Sequence, residues 1–148
     1  MRRYLLVLPL VFACAKGEEM PADSAAMAAA PAALTEADVA GTWTGTGINE
    51  APDTGSVTFS ITCGGGTCRQ TTSAAPNDTL PSTYTIAADS SHGVSTPYPD
   101  PQRGGAMVVD HWVARVSGNQ VTGYGWLVLA DKPDSALVRY RFTGTKQP

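Results

Sequence analysis

Charge is scarce in this chain: Asp, Glu, Lys and Arg together make 16% of its 148 residues, and the basic side chains form no cluster. A protein that grips nucleic acid needs a basic face for the phosphates, and a formal charge of −3 without such a face excludes nucleic acid as a partner. Histidine is nearly absent, with only His92 and His111. Asp110 and His111 are neighbours on a strand-like stretch and so point to opposite faces, while His92 has only turn-forming neighbours around Asp89; neither pair reads as a catalytic or zinc site. Gly-x-Ser-x-Gly, His-Glu-x-x-His and phosphate-loop patterns are missing as well. Nothing therefore nominates a catalytic residue, a metal ligand or a cofactor, and the chain does not read as an enzyme. Nor does any apolar run reach the ~20 residues that a membrane-spanning helix requires.

What is present begins with an address. Arg2 and Arg3 precede an apolar stretch over residues 4–12, and Ala13 stands before Cys14. A basic start, a short apolar core and a small residue before a cut are the three parts of a secretory signal. The residues Val11-Phe12-Ala13-Cys14 resemble the lipobox of bacterial lipoproteins, with Val11 in place of the usual Leu and Phe12 where a small residue is commoner. The alternative is an ordinary secretory peptide cleaved near the same place. The resemblance implies removal of residues 1–13, acylation of Cys14 and export to the cell envelope, with the outer membrane as the anchor and the periplasm or cell surface as the facing side. Losing Arg2 and Arg3 shifts the formal charge from −3 to −5. An anionic lipid surface repels such a body, so attachment has to come from acyl chains on Cys14.

Residues 14–34 are rich in Ala, interrupted by Pro21 and Pro31, and hold no large apolar side chain before Leu34 except Met. Such a segment buries too little surface to offset its ordering entropy and reads as a tether, with transient helicity over residues 23–30 as the competing tendency. From residue 35 to 148 the pattern is that of an antiparallel β domain. Thr35 and Asp38 imitate a capping box for one helical turn that stops at Gly41. Alternation of apolar with Thr and Ser residues then predicts strands at 40–48, 55–63, 68–73, 82–88, 93–98, 106–117, 120–130 and 136–146. Seven or eight strands joined mostly by short turns fit an up-and-down barrel or a small sandwich. Residues 88–106 are the longest expected irregular stretch. They carry Asp89, His92, Tyr98, Asp100 and Arg103, and read either as a solvated connection or as a binding element over the domain.

Cys63 and Cys68 flank Gly64-Gly65-Gly66-Thr67 and fall opposite one another across a tight hairpin, which meets the geometric need of a disulfide. With Cys14 assigned to lipid, the odd count resolves as one modified cysteine and one bonded pair; a redox dithiol or a metal site would need activating neighbours or further ligands.

The opening "VAGTWTGTG", a helical turn followed by Gly41-x-Trp43 on the first strand, together with an Arg on the last strand, Arg141 or Arg139, resembles the lipocalin and calycin pattern. The resemblance implies that Trp43 closes a barrel floor with the Arg packed over it, and that the protein binds a small molecule or lipid. Trp112, Tyr124, Trp126, Tyr140 and Phe142 are the candidate aromatic lining, sharing one face where the hairpin registers permit. Two functions follow. One is a lipid-anchored envelope barrel that holds a small apolar or amphipathic ligand. The other is a filled β domain that meets another envelope protein through its surface, which Gly123, Gly125 and Gly144 favour by permitting close packing. The address is testable by itself: Cys14→Ser is expected to abolish incorporation of an alkynyl fatty acid in growing cells, and continued labelling would refute the lipobox reading.

Overall fold

The computed structural model describes residues 33–50 and 55–148. The leader, Cys14 and nearly all of the expected tether lie outside these residues. A single helical turn, α1 (Glu36–Val39), leads into nine strands: β1 (Gly41–Asn49), β2 (Ser56–Gly64), β3 (Thr67–Thr72), β4 (Ala75–Ala87), β5 (Ser90–Ser95), β6 (Tyr98–Asp100), β7 (Ala106–Ser117), β8 (Gln120–Leu129) and β9 (Lys132–Lys146). Every pairing is antiparallel, and β5 pairs with β7 to close the sheet on itself. The result is an eight-stranded barrel with β6 as an extra strand on β7, which decides for the barrel over the sandwich.

The chain turns this way because its turn chemistry and strand lengths agree. Gly118 (φ 58°) and Asn119 make a two-residue turn between Ser117 and Gln120, and Gly65 and Gly66 do the same between Gly64 and Thr67. The Cys63–Cys68 disulfide expected across that second hairpin is present, with Cα atoms 4.1 Å apart. Residues 88–106, expected to be irregular, are mostly strand. Ser91, Gly93 and Ser95 face inward, and small polar side chains lack the apolar alternation by which a buried strand is recognised.

One end of the barrel is plugged. Trp43 is 3% exposed and packs with Leu34 and Val39, and its indole Nε1 donates to the Val39 carbonyl at 2.9 Å. The plug is tied down from several sides. The Glu36 carboxylate accepts from the Tyr84 hydroxyl at 2.5 Å and from the Gly65 amide at 2.7 Å, and the Leu34 amide donates to the Ala88 carbonyl at 2.9 Å. Burial, with Glu36 beside it, pushes the Tyr84 hydroxyl up to about 12. Asp38 accepts from the Thr35 hydroxyl at 2.6 Å and amide at 2.9 Å, contacts that hold its carboxyl below the usual range.

The cation over Trp43 is not the expected one. Lys146 Nζ lies 5.3 Å from the ring centroid and donates to the carbonyls of Ala37 and Asp38, while Arg141 is on the outer surface, its Nε donating to Glu50 at 2.5 Å. Arg139 is exposed too. The register decides this: Trp43 pairs with Lys146, five residues beyond Arg141 on the same strand. A buried indole contributes far more than an exposed cation–π contact, so Trp43→Ala is expected to lower the unfolding free energy by about 3–5 kcal/mol and Lys146→Ala by about 0.5–1 kcal/mol. Denaturant melts of the two variants rank them.

Candidate functional site

The barrel is not filled by its own side chains. A chamber of about 370 Å³ runs from Trp43 at the floor to a mouth formed by Asn49, Val57, Ala75, Tyr98 and Asp100 to Arg103. The reason lies in which residues oppose which. Across adjacent strands Gly45 faces Phe59, Gly93 faces Trp112, Gly123 faces Phe142 and Gly125 faces Tyr140. A Cβ on any of these glycines would come within 2.0–2.6 Å of the opposed ring. Each ring therefore lies flat over a glycine, against the wall instead of across the lumen. Glycines that suggested a filled domain in the sequence are what lets the aromatic rings clear its centre.

The expected aromatic lining divides. Trp112, Tyr140 and Phe142 line the chamber, whereas Tyr124, 50% exposed, and Trp126 stand on the outer face, where Trp126 stacks on His111 with ring centroids 5.2 Å apart. The Gly118-Asn119 turn explains the split. Two intervening residues make each β7–β8 pair sum to an odd number, so even positions on β7 share a face with odd positions on β8. Phe59, Ile61, Leu127 and Val138 join the inner face.

Asp110 sits on this wall at 6% exposure. It follows the inward alternation of Trp112, Ala114 and Val116 and occupies the point where β7 changes partner from β5 to β6. Its amide, left out of both ladders, donates to the Ser95 hydroxyl at 2.9 Å, and its carboxylate accepts from the Tyr140 hydroxyl at 2.8 and 2.9 Å. Burial pushes the carboxyl up to about 7, and the Tyr140 hydrogen bond only partly offsets that. The Tyr140 and Tyr98 hydroxyls are both raised, first by their own burial and then by the nearby Asp110 charge. His111, next in sequence, is on the other face of the strand as expected.

The five polar residues of 88–106 also separate. Asp100 caps the one-turn 3₁₀ helix Pro101–Arg103 by accepting from the Gln102 amide at 2.9 Å and forms an ion pair with Arg103. These two residues, with Tyr98, roof part of the mouth. Asp89 instead pairs with Arg115 at 3.3 Å, and exposed His92 bonds Ser90 at 3.0 Å; neither lines the chamber. Among the described residues no group of three or more His, Cys, Asp or Glu side chains is placed to hold a metal.

Sequence reasoning used Asp110 only to dismiss a His–Asp pair and assigned it no role. The available signal was a lone carboxylate in phase with Trp112, Ala114 and Val116 on an otherwise apolar inward face. Compared with family models, curated proteins and solved structures, the chain matches none.

The buried carboxyl sets a pH dependence. An Asp has an unfolded value near 3.9, so between about pH 4 and pH 7 the folded chain holds a proton that the unfolded chain has lost. Stability from this group is highest below about pH 4 and falls as pH rises to about 7, by roughly 4 kcal/mol over the interval, and is flat above it. Asp110→Asn is expected to remove that slope, as read from urea unfolding at a series of pH values.

Proposed function

We propose that the protein is a lipid-anchored binder of a small apolar or amphipathic molecule in the cell envelope, held in the barrel lumen. One observation carries the reading: a chamber of about 370 Å³ whose wall is mostly apolar, with polar groups that include Asp110 and Tyr140. Ligand sites have this composition, with apolar lining for affinity and a few convergent polar groups for orientation. An eight-stranded barrel is the size that either fills itself or holds one small ligand, and here the glycine-backed rings favour the second outcome. The plugged floor makes the opposite mouth the entrance.

Anchoring and export rest on Cys14 and its preceding residues, and the Cys63–Cys68 bond supports them because disulfides persist in oxidising compartments. In that setting the domain would hold its ligand outside the cytoplasmic membrane while acyl chains keep it near a lipid surface.

The full chain carrying Cys14→Ser is expected to bind the neutral fluorophore N-phenyl-1-naphthylamine with a blue-shifted, enhanced emission, and to retain a ligand mass in native mass spectrometry when purified from its host. Val57 lines the mouth, and Val57→Trp is expected to weaken the fluorophore by about tenfold or more while circular dichroism stays that of the parent. A bare mass together with no fluorophore uptake would sink the binder.

A further inference from the structure

We infer that the chamber selects a cationic amphiphile, a protonated amine on an apolar chain, with the Asp110 carboxylate as counter-ion. The inference rests on the ligand-binding reading and adds the chemistry of the head group.

Among the described residues the only donor to the Asp110 carboxylate is the Tyr140 hydroxyl, although a carboxylate offers about four acceptor sites. Among the described residues no cation balances it. Arg103 is the cationic side chain at the chamber and is engaged by Asp100; Lys146 lies over Trp43 at the floor, and Arg115 and Arg141 pair with Asp89 and Glu50 outside. Once that pair is discounted, the described lining of the chamber holds one uncompensated carboxylate.

The groups near Asp110 are few. Tyr140 comes from β9, Tyr98 and Asp100 from β6, and Arg103 from the 3₁₀ turn, while β5 and β8 present Ser95 and Leu127, which do not titrate. An acidic ligand would face Asp110 with no free cation to receive it. A neutral ligand would leave the carboxylate either bare or protonated. A primary ammonium carries three donors on a compact charge, reaches the open acceptor sites and leaves the Tyr140 hydrogen bond in place. Its apolar chain then lies against Trp112, Leu127, Val138 and Phe142. A buried carboxylate is costly when alone and much less so when paired, so the ligand restores the balance that the empty barrel lacks.

Pairing requires the ionised form of Asp110. Below about pH 7 the empty chamber holds the proton, and each amine bound must expel it. Amine affinity is therefore expected to rise with pH up to about 7 and then level off until the amine itself loses its charge. A long-chain alcohol should lack this rise.

The test compares dodecylamine, dodecanol and dodecanoate by titration calorimetry on the full chain carrying Cys14→Ser, between about pH 5 and pH 8. At the upper end dodecylamine is expected to bind at least about tenfold tighter than dodecanol, with dodecanoate weakest, and the amine advantage should shrink by up to about tenfold per pH unit below 7. Asp110→Asn should bring the ratio of amine to alcohol affinity close to one. In the parent chain near pH 6, amine binding should release close to one proton, read from heats in buffers of different ionisation enthalpy, and this needs no folded Asp110 variant. Equal affinities for amine and alcohol, tighter dodecanoate, or no proton release would overturn the head-group assignment while leaving the binder intact. Failure of all three ligands and of N-phenyl-1-naphthylamine would instead remove the binder itself, and the inference with it.

Discussion

The open lumen depends on one repeated packing arrangement, an aromatic ring laid over a glycine on the neighbouring strand. In a barrel of eight strands, four inward rings pointing at the axis would meet and fill the space between them. Here Phe59, Trp112, Tyr140 and Phe142 each find a neighbour with no Cβ and fold back against the sheet. The rings still contact one another, Phe59 edge-on to Phe142 at 6.0 Å and Tyr140 beside Phe142 at 6.2 Å, so the wall is continuous and apolar. Aromatic burial is thereby kept without closing the centre. Because Cβ clearances at these sites are 2.0–2.6 Å, even alanine would force a ring off the wall and into the chamber.

Closure of the barrel fixes the electrostatics of the same wall. β7 needs two partners in succession on one edge, β5 for its Ala114 end and β6 for its Ala106 end, and the handover falls at Asp110. A strand at such a break has a backbone amide without a ladder partner, and Ser95 supplies one from its side chain. The inward carboxylate at that point is then surrounded by the returning β6 segment, whose Tyr98 is itself strongly perturbed by burial and by the Asp110 charge. The break in pairing and the buried charge are thus one structural feature: the chain leaves the barrel, folds over its mouth and returns where the carboxylate stands.

Much of this could be read from residue order, and the exceptions have physical causes. Thr and Ser alternating with apolar residues give away β1, β2 and β7 to β9, and the Gly-rich turn between Cys63 and Cys68 gives away the disulfide. Trp43 after a helical turn marks the plugged end. Its cation was misplaced because Arg141 and Lys146 lie on one strand and only the β1–β9 register distinguishes them. β5 (Ser90–Ser95) was expected three residues late, at 93–98, because its inward side chains are Ser and Gly, chosen by the bulk of Trp112 and Tyr84 opposite. The inward set was only half resolved for a simpler reason. Five aromatic residues at even positions looked alike, and the parity change across a two-residue turn separates Tyr124 and Trp126 from the rest.

The two ends of the barrel differ in how firmly they are held, and that difference bears on how anything enters. At the floor, α1 is joined to the barrel by the indole of Trp43, by Tyr84 and Gly65 through Glu36, by Lys146 and by the Leu34 amide, contacts that come from β1, β4, β9 and the turns after β2 and β4. At the mouth, the cover is β6, three residues long, and the 3₁₀ turn that follows, held to β7 at one edge and stiffened by the Asp100–Arg103 pair within itself. Free energies of local opening follow the number and burial of such contacts, so the cover opens at lower cost than the plug. The carboxylate of Asp110 lies next to the cover and not next to the plug. A ligand admitted by movement of β6 therefore meets the Asp110 carboxylate first and the apolar floor last, an order that places a polar head at the mouth and an apolar chain below it.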